Sequence, residues 1–285
     1  MPRYLLSLLF GLMLTVASCN SGSDEVPIDH SYQRIALPDN LPRYDSLPMP
    51  VSLAGYEWQQ SSRTITEKDC AAEACSEISW QWFVLSQAPS QVLIDSVQRF
   101  NWYYLTGIPG AREMDLDSIA ASFFKEAKKE IPQGDKLLGW NERNSVWLAA
   151  ATAKTLTVGG KIWGNYGGED NYASNLENFE VTTGKHLLLR DIVDQPYDIF
   201  GLGEQIFRQQ EGIAEGSTLA SAGFTFPEDV FYLPETFGIL TDGLLFLYAP
   251  QEIASYTKGE QYLFIPYTLM GDKLNPTFQY TVTIP

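Results

Sequence analysis

Apolar and polar positions change period along this chain, and the changes mark its elements. Residues 63–67 and 78–85 alternate as strands do, the second with Ile78, Trp80, Trp82 and Val84 on one face and Phe83 and Leu85 on the other. The period then becomes helical. Pro89-Ser90 opens a helix whose core face holds Leu93, Val97, Phe100 and Tyr104. A second helix spans 117–131, capped by Asp117 or Ser118, with Ala120, Phe123, Ala127 and Ile131 on one face. Residues 144–158 read as a long strand, 159–160 as a Gly-Gly turn and 161–166 as the return. Runs at 176–181 and 187–193 flank a Thr-Thr-Gly-Lys turn, and a third helix is expected over 198–210, weakened by Gly201 and Gly203. Residues 211–231 read as a loop. Near the end, apolar runs 237–240 and 244–248 surround Asp242-Gly243, a pair that tolerates the positive φ of a hairpin turn, and a third run follows at 262–265. The sum is an α+β fold with antiparallel or mixed sheets and about three helices.

The two ends of the pattern differ. Arg3, the apolar run 4–16 and Ala17-Ser18 form a secretory signal, too short to span a bilayer. Val16-Ala17-Ser18-Cys19 resembles the lipobox of bacterial lipoproteins, which implies that Cys19 becomes the acylated N-terminus and anchors the chain to a membrane. Asn20 in place of Asp is consistent with outer-membrane sorting, so the expected location is the cell envelope. Pro27, Pro38, Pro42, Pro48 and Pro50 make residues up to 51 an extended spacer. The expected organisation is a signal peptide over 1–18, an anchored linker over 19–51, and α+β subdomains over 52–140 and 141–285.

Composition narrows the partners. With 19 basic and 35 acidic residues the net charge is −16, or −17 once Arg3 is removed with the leader. Such a chain repels nucleic acid and anionic lipid, and attracts a basic protein or a cation. Solubility alone also accounts for the charge. In an oxidising compartment Cys70 and Cys75 are expected to form a disulfide; Asp69 and Glu73 stand nearby, but no histidine completes a metal site. No metal or cofactor is expected.

Little catalytic machinery is visible. His30 lies in the linker and His186 beside a turn, and no nucleophile elbow, zinc helix or phosphate loop occurs. Asp115 and Asp117 read as a helix start rather than a metal signature. Glu169-Asp170 and Glu228-Asp229 are adjacent acids that a glycan-cleaving enzyme would need converged in one cleft. Trp58, Trp102, Trp140 and Trp163 lie near element ends and are candidate sugar platforms, though core or rim positions suit most of them. The loop Asn165, Tyr166, Gly167, Gly168, Glu169, Asp170 is the candidate binding site, or simply a tight turn.

A resemblance sharpens this reading. Tyr248-Ala249-Pro250, Glu252-Ile253-Ala254, Tyr256, Gly259, Phe264-Ile265-Pro266-Tyr267 and Leu269 resemble the closing motif of the RsiV-like extracytoplasmic domain. That domain of unknown function forms the outer part of a lysozyme-sensing anti-sigma factor and the N-terminal part of a peptidoglycan deacetylase. Phe179-Glu180-Val181, the Thr-Gly-Lys turn and the 187–193 run resemble it too, so the likeness covers roughly residues 60–270. The family pattern has Gly-Gly-Ala-His where this chain has Gly167-Gly168-Glu169-Asp170, so no role of that histidine transfers. The resemblance implies a lipid-anchored envelope binding module whose partner is lysozyme or a peptidoglycan fragment. It implies neither an enzyme nor a direct regulator of a sigma factor. The alternatives are a carboxylate-based cell-wall glycan enzyme and a structural envelope lipoprotein.

Overall fold

The computed structural model describes residues 36–48, 53–68, 70, 75–130, 139–168, 170–194 and 199–279. The signal sequence, Cys19, His30, Asp69, Glu73 and Glu169 lie outside the described residues.

Two sheets organise the chain. The larger has the order β1 (Glu57–Thr66), β2 (Glu77–Gln87), β3 (Asn141–Ala151), β4 (Thr155–Asn165) and β5 (Asp170–Glu180). All neighbours are antiparallel except β2 and β3, which pair in parallel over 77–81 and 141–145. A parallel pair needs a long crossover. Here it consists of α1 (Gln91–Thr106) and α2 (Leu116–Glu130). Ser90 caps α1 by accepting a hydrogen bond from the Leu93 N–H at 3.2 Å, as its position predicts. Leu93, Val97, Ala120, Phe123 and Ala127 are buried against the sheet with Trp80 and Val158. The smaller sheet is antiparallel, in the order β6 (Phe237–Ile239), β7 (Gly243–Tyr248), β8 (Gln261–Pro266). Helix α3 (Phe200–Gln210) packs on it through Leu202, Ile206 and Phe207.

The sheets are stitched by two buried side chains. Asn178 on β5 donates to Phe237 O at 2.8 Å and accepts from the Ile239 N–H at 2.9 Å, while the Thr157 hydroxyl lies 2.8 Å from Ile239 O. The outer edge of β6 thus finds its partners in side chains rather than in another strand. Apolar contact among Ala149, Leu176, Leu240, Leu245 and Phe264 fills the space beside this seam.

Several expectations needed correction. The turn after the long strand falls at 152–154, and Gly159 and Gly160 sit inside β4. A Cβ on Gly159 would meet the Trp147 ring at 2.5 Å, and one on Gly160 the Tyr104 ring at 2.5 Å, so these glycines admit aromatic side chains over the strand. Gly243 likewise has no positive φ; its Cβ would strike Ile265 O at 2.5 Å. Strand β1 begins at Glu57 rather than residue 63, and residues 189–192 form one helical turn where a strand was expected. The alternation in β2 slips between Trp82 and Phe83, which are both buried, so Val84 faces out. Helix α2 starts at Leu116 behind Asp115, whose carboxylate accepts from the Arg112 N–H at 2.9 Å; Asp117 instead pairs with Arg63. The division expected at 140/141 runs through a continuous sheet, and Gln33–Pro285 forms one unit.

The spacer expected up to residue 51 also changes character. Over 36–48 it is a strap. Leu37 and Leu41 pack on the α3 core, Arg43 pairs with Glu211 at 2.7 Å, and Tyr44 packs on Phe264 with ring centroids 5.1 Å apart. The Trp147 indole donates to Pro48 O at 3.0 Å. Proline keeps such a segment extended, and its leucines and Tyr44 supply the apolar grip that a bare spacer lacks. The expected disulfide forms between Cys70 and Cys75, in the connection from β1 to β2.

Candidate functional site

The strand register builds a surface that no single segment announces. Helices cover one face of the larger sheet, and alternate residues point to the other. Across that other face, pairing aligns Thr64, Ser79, Arg143, Trp163 and Tyr172 in one row. The next row is Ser62, Gln81, Ser145, Lys161 and Ser174. Between them lies an open trough of about 520 Å³. The Arg143 guanidinium stacks over the Trp163 ring at 4.8 Å, and the Lys161 ammonium sits 4.5 Å above the Tyr172 ring. Cation–π contact of this kind holds a charged side chain in place while leaving its N–H edges free to donate. One end of the sheet face is closed where Trp147 and Leu176 meet Leu240, Leu245 and the strap residues Tyr44 and Leu47.

The 165–170 loop lies at the other end of the trough, as the β4–β5 turn. Asn165 gathers it: its side-chain amide donates to Gly168 O at 2.9 Å and to the Asp170 carboxylate at 2.7 Å, and its carbonyl accepts from the Gly167 N–H at 3.1 Å. Gly167 has a φ of 85°, which that turn requires. Tyr166 goes to the opposite face, where its hydroxyl donates to Glu142 at 3.0 Å and its ring meets Trp140 edge-on. The polar groups of Asn165, Gly168 and Asp170 are therefore engaged with one another, and the side chains turned outward belong to the neighbouring strands.

The remaining candidates take structural places. Asp229 accepts from the Ala220 N–H at 2.7 Å, and Glu228 and Asp229 both adopt positive φ in that loop. His186 pairs with Glu177, whose hydrogen bond and charge raise the imidazole pKa. Of the four tryptophans considered as platforms, Trp140 is buried, Trp58 and Trp102 pack on the core, and Trp163 lies on the trough. Among the described residues no group of three His, Cys, Asp or Glu could hold a metal. Likewise, among those residues no helix is long and apolar enough to cross a membrane.

The residues of the closing motif hold a loop in place. The Tyr248 hydroxyl donates to Tyr232 O at 2.6 Å, Tyr232 donates to Glu252 at 2.9 Å, and Glu252 accepts from the Ala249 N–H at 2.7 Å. Tyr256 donates to Asp170 O, which pins the same loop to the start of β5. Burial pushes the Tyr248 phenol far up, with Tyr232 and Glu252 adding to the shift, so it stays a neutral donor. The motif specifies packing of the smaller sheet; the trough lies elsewhere.

Arg143, Lys161 and Tyr172 were not legible as site residues. Their signal is the alternation Arg143-x-Ser145 and Lys161-x-Trp163, but only the observed register sets Arg143 opposite Trp163. A turn at 159–160 would have misaligned them.

Comparison with known proteins bears on the fold. No curated protein matches the chain. A crystal structure of a DUF3298 family member from Bacteroides fragilis superposes with a TM-score of 0.69 at 16% identity, covering 79% of this chain and 97% of that one. A DUF3298 family protein from Pseudomonas aeruginosa gives 0.59 at 13% identity, covering 78% and 96%. Residues 188–268, a segment that includes the closing motif as far as Tyr267, match the family described as a protein of unknown function, DUF3298. The chain thus carries a DUF3298 match over that segment and shares the α+β fold of solved DUF3298 structures across most of its length.

Proposed function

We propose that this protein is a non-catalytic binding module of the cell envelope, anchored through Cys19, which takes a peptidoglycan fragment on the open face of its larger sheet. The observation that carries the reading is the trough itself, about 520 Å³ in volume and edged by Arg143, Lys161 and Trp163. Hydroxyl and amide side chains in register suit a hydroxyl-rich ligand, and a sheet face presents them on a rigid frame. Lysozyme, the other partner considered, is basic; the net charge of −16 would steer it toward the chain, but Arg143 and Lys161 oppose docking on this face.

Calorimetric titration of the purified protein with soluble peptidoglycan fragments, and separately with lysozyme, tests the reading. Fragments are expected to bind the wild type and to be lost in Ser145→Trp, which fills the trough without touching the core. Binding of lysozyme alone, unaffected by Ser145→Trp, would overturn it.

A further inference from the structure

Arg143 and Lys161 stand out in a chain with nearly twice as many acids as bases. Among the described residues neither makes an ion pair; each rests on an aromatic ring instead. Two acids in the next row of this face are turned to other partners. Glu77 accepts from the Thr66 hydroxyl at 3.1 Å, and Asp170 from the Asn165 amide at 2.7 Å. The two cations are diagonal neighbours on β3 and β4, since Arg143 pairs with Trp163 and Ser145 with Lys161. Diagonal neighbours stand about 7 Å apart at their Cβ atoms, close enough for one carboxylate to reach both and wide enough for two on adjoining sugars.

The rings determine what kind of anion fits. A simple anion needs only charge, and two half-exposed cations in water hold it weakly. Here Trp163 and Tyr172 fix the cations from below, and Ser62, Thr64, Ser79, Gln81 and Ser145 surround them with hydroxyl and amide groups. A guanidinium held flat on a ring presents its planar fork to a carboxylate, and the neighbouring hydroxyls reach the ligand's own hydroxyls. We infer that the trough reads carboxylate-bearing saccharides, with Arg143 and Lys161 as the residues that discriminate them from neutral ones. This rests on the open sheet face being the binding surface, and adds that the surface selects by charge.

The test compares oligogalacturonate, neutral chito-oligosaccharide of the same length and inorganic phosphate, titrated into the purified full chain at low and moderate salt. The variant is Arg143→Gln/Lys161→Gln, which removes both charges while keeping a polar amide at each position and leaves the core untouched; its melting curve is recorded alongside. The acidic oligosaccharide is expected to bind at least about tenfold more tightly than the neutral one, and the double variant to erase that preference while melting as the wild type does. Equal binding of acidic and neutral sugars would overturn the inference and leave the open-face binding reading standing. Phosphate binding as tightly as the acidic sugar would mean an adventitious ion only, which also overturns it. Failure of all three probes, together with failure of peptidoglycan fragments, would remove both readings.

Discussion

The two sheets of this protein are built on opposite principles. In β1 no residue is fully buried and, from Gln60 on, exposed positions alternate with half-buried ones, because at this edge of the larger sheet one face meets helices and the other meets water. In β7 all six residues, Gly243–Tyr248, are buried, because α3 covers one face and the larger sheet and strap cover the other. A sheet closed on both sides can only specify a fold. A sheet open on one side has side chains left over for a ligand. This is why the residues of the closing motif in the smaller sheet turn out to hold one another, while Arg143, Lys161 and the trough lie on the larger one.

The comparison breaks most severely at the seam. Asn178→Leu should destabilise the protein by about 3–5 kcal/mol, since it leaves the buried Ile239 N–H and Phe237 O without partners. Chemical denaturation measures this directly, and a loss below about 1 kcal/mol would mean that the two sheets hold together by apolar contact alone. Next in size is Tyr44→Ala on the strap, which removes the packing on Phe264 and should cost about 1–2 kcal/mol. An unchanged denaturation midpoint would mean that the strap merely lies on the surface. The outward side of the larger sheet should respond differently: Arg143→Gln is expected to change stability by less than about 0.5 kcal/mol while altering ligand selectivity.

The last effect depends on pH and concerns His186 at the margin between the halves. Glu177 raises its folded-state pKa, so the protonated pair stabilises the fold fully below the unfolded value near 6.5 and the gain is lost as pH rises through the folded pKa. His186 is about half exposed, so the contribution should stay below about 1 kcal/mol. Comparing wild type with His186→Asn from pH 6 to 9, the stability difference should shrink as pH increases; a difference that grows with pH would refute the assignment.

Much of the fold was legible because it is local. Ser90 announces α1, the spacing of Leu93 and Val97 gives its buried face, and the short interval between Cys70 and Cys75 anticipates their bridge. The three apolar runs of the smaller sheet pair as read, since a strand buried on both faces is apolar throughout. Gly159-Gly160 misled because glycine signals either a turn or a close approach. Only the Trp147 and Tyr104 rings reveal which. The strap was hidden by its prolines, which look the same whether a segment is free or docked.

The sequence by itself determined the α+β class, the helices, the hydrophobic closing sheet and the strongly acidic balance. These follow from period, capping chemistry and composition, each of which acts over a few residues or over the whole chain at once. Tertiary structure alone decided where ligand-facing groups collect. Arg143 and Lys161 are 18 residues apart in the chain and become neighbours only when β3 and β4 pair in this register. A shift of one residue would turn one of the paired strands over and bury its cation or its ring, so the trough depends on a register set by packing across the sheet rather than by any local signal.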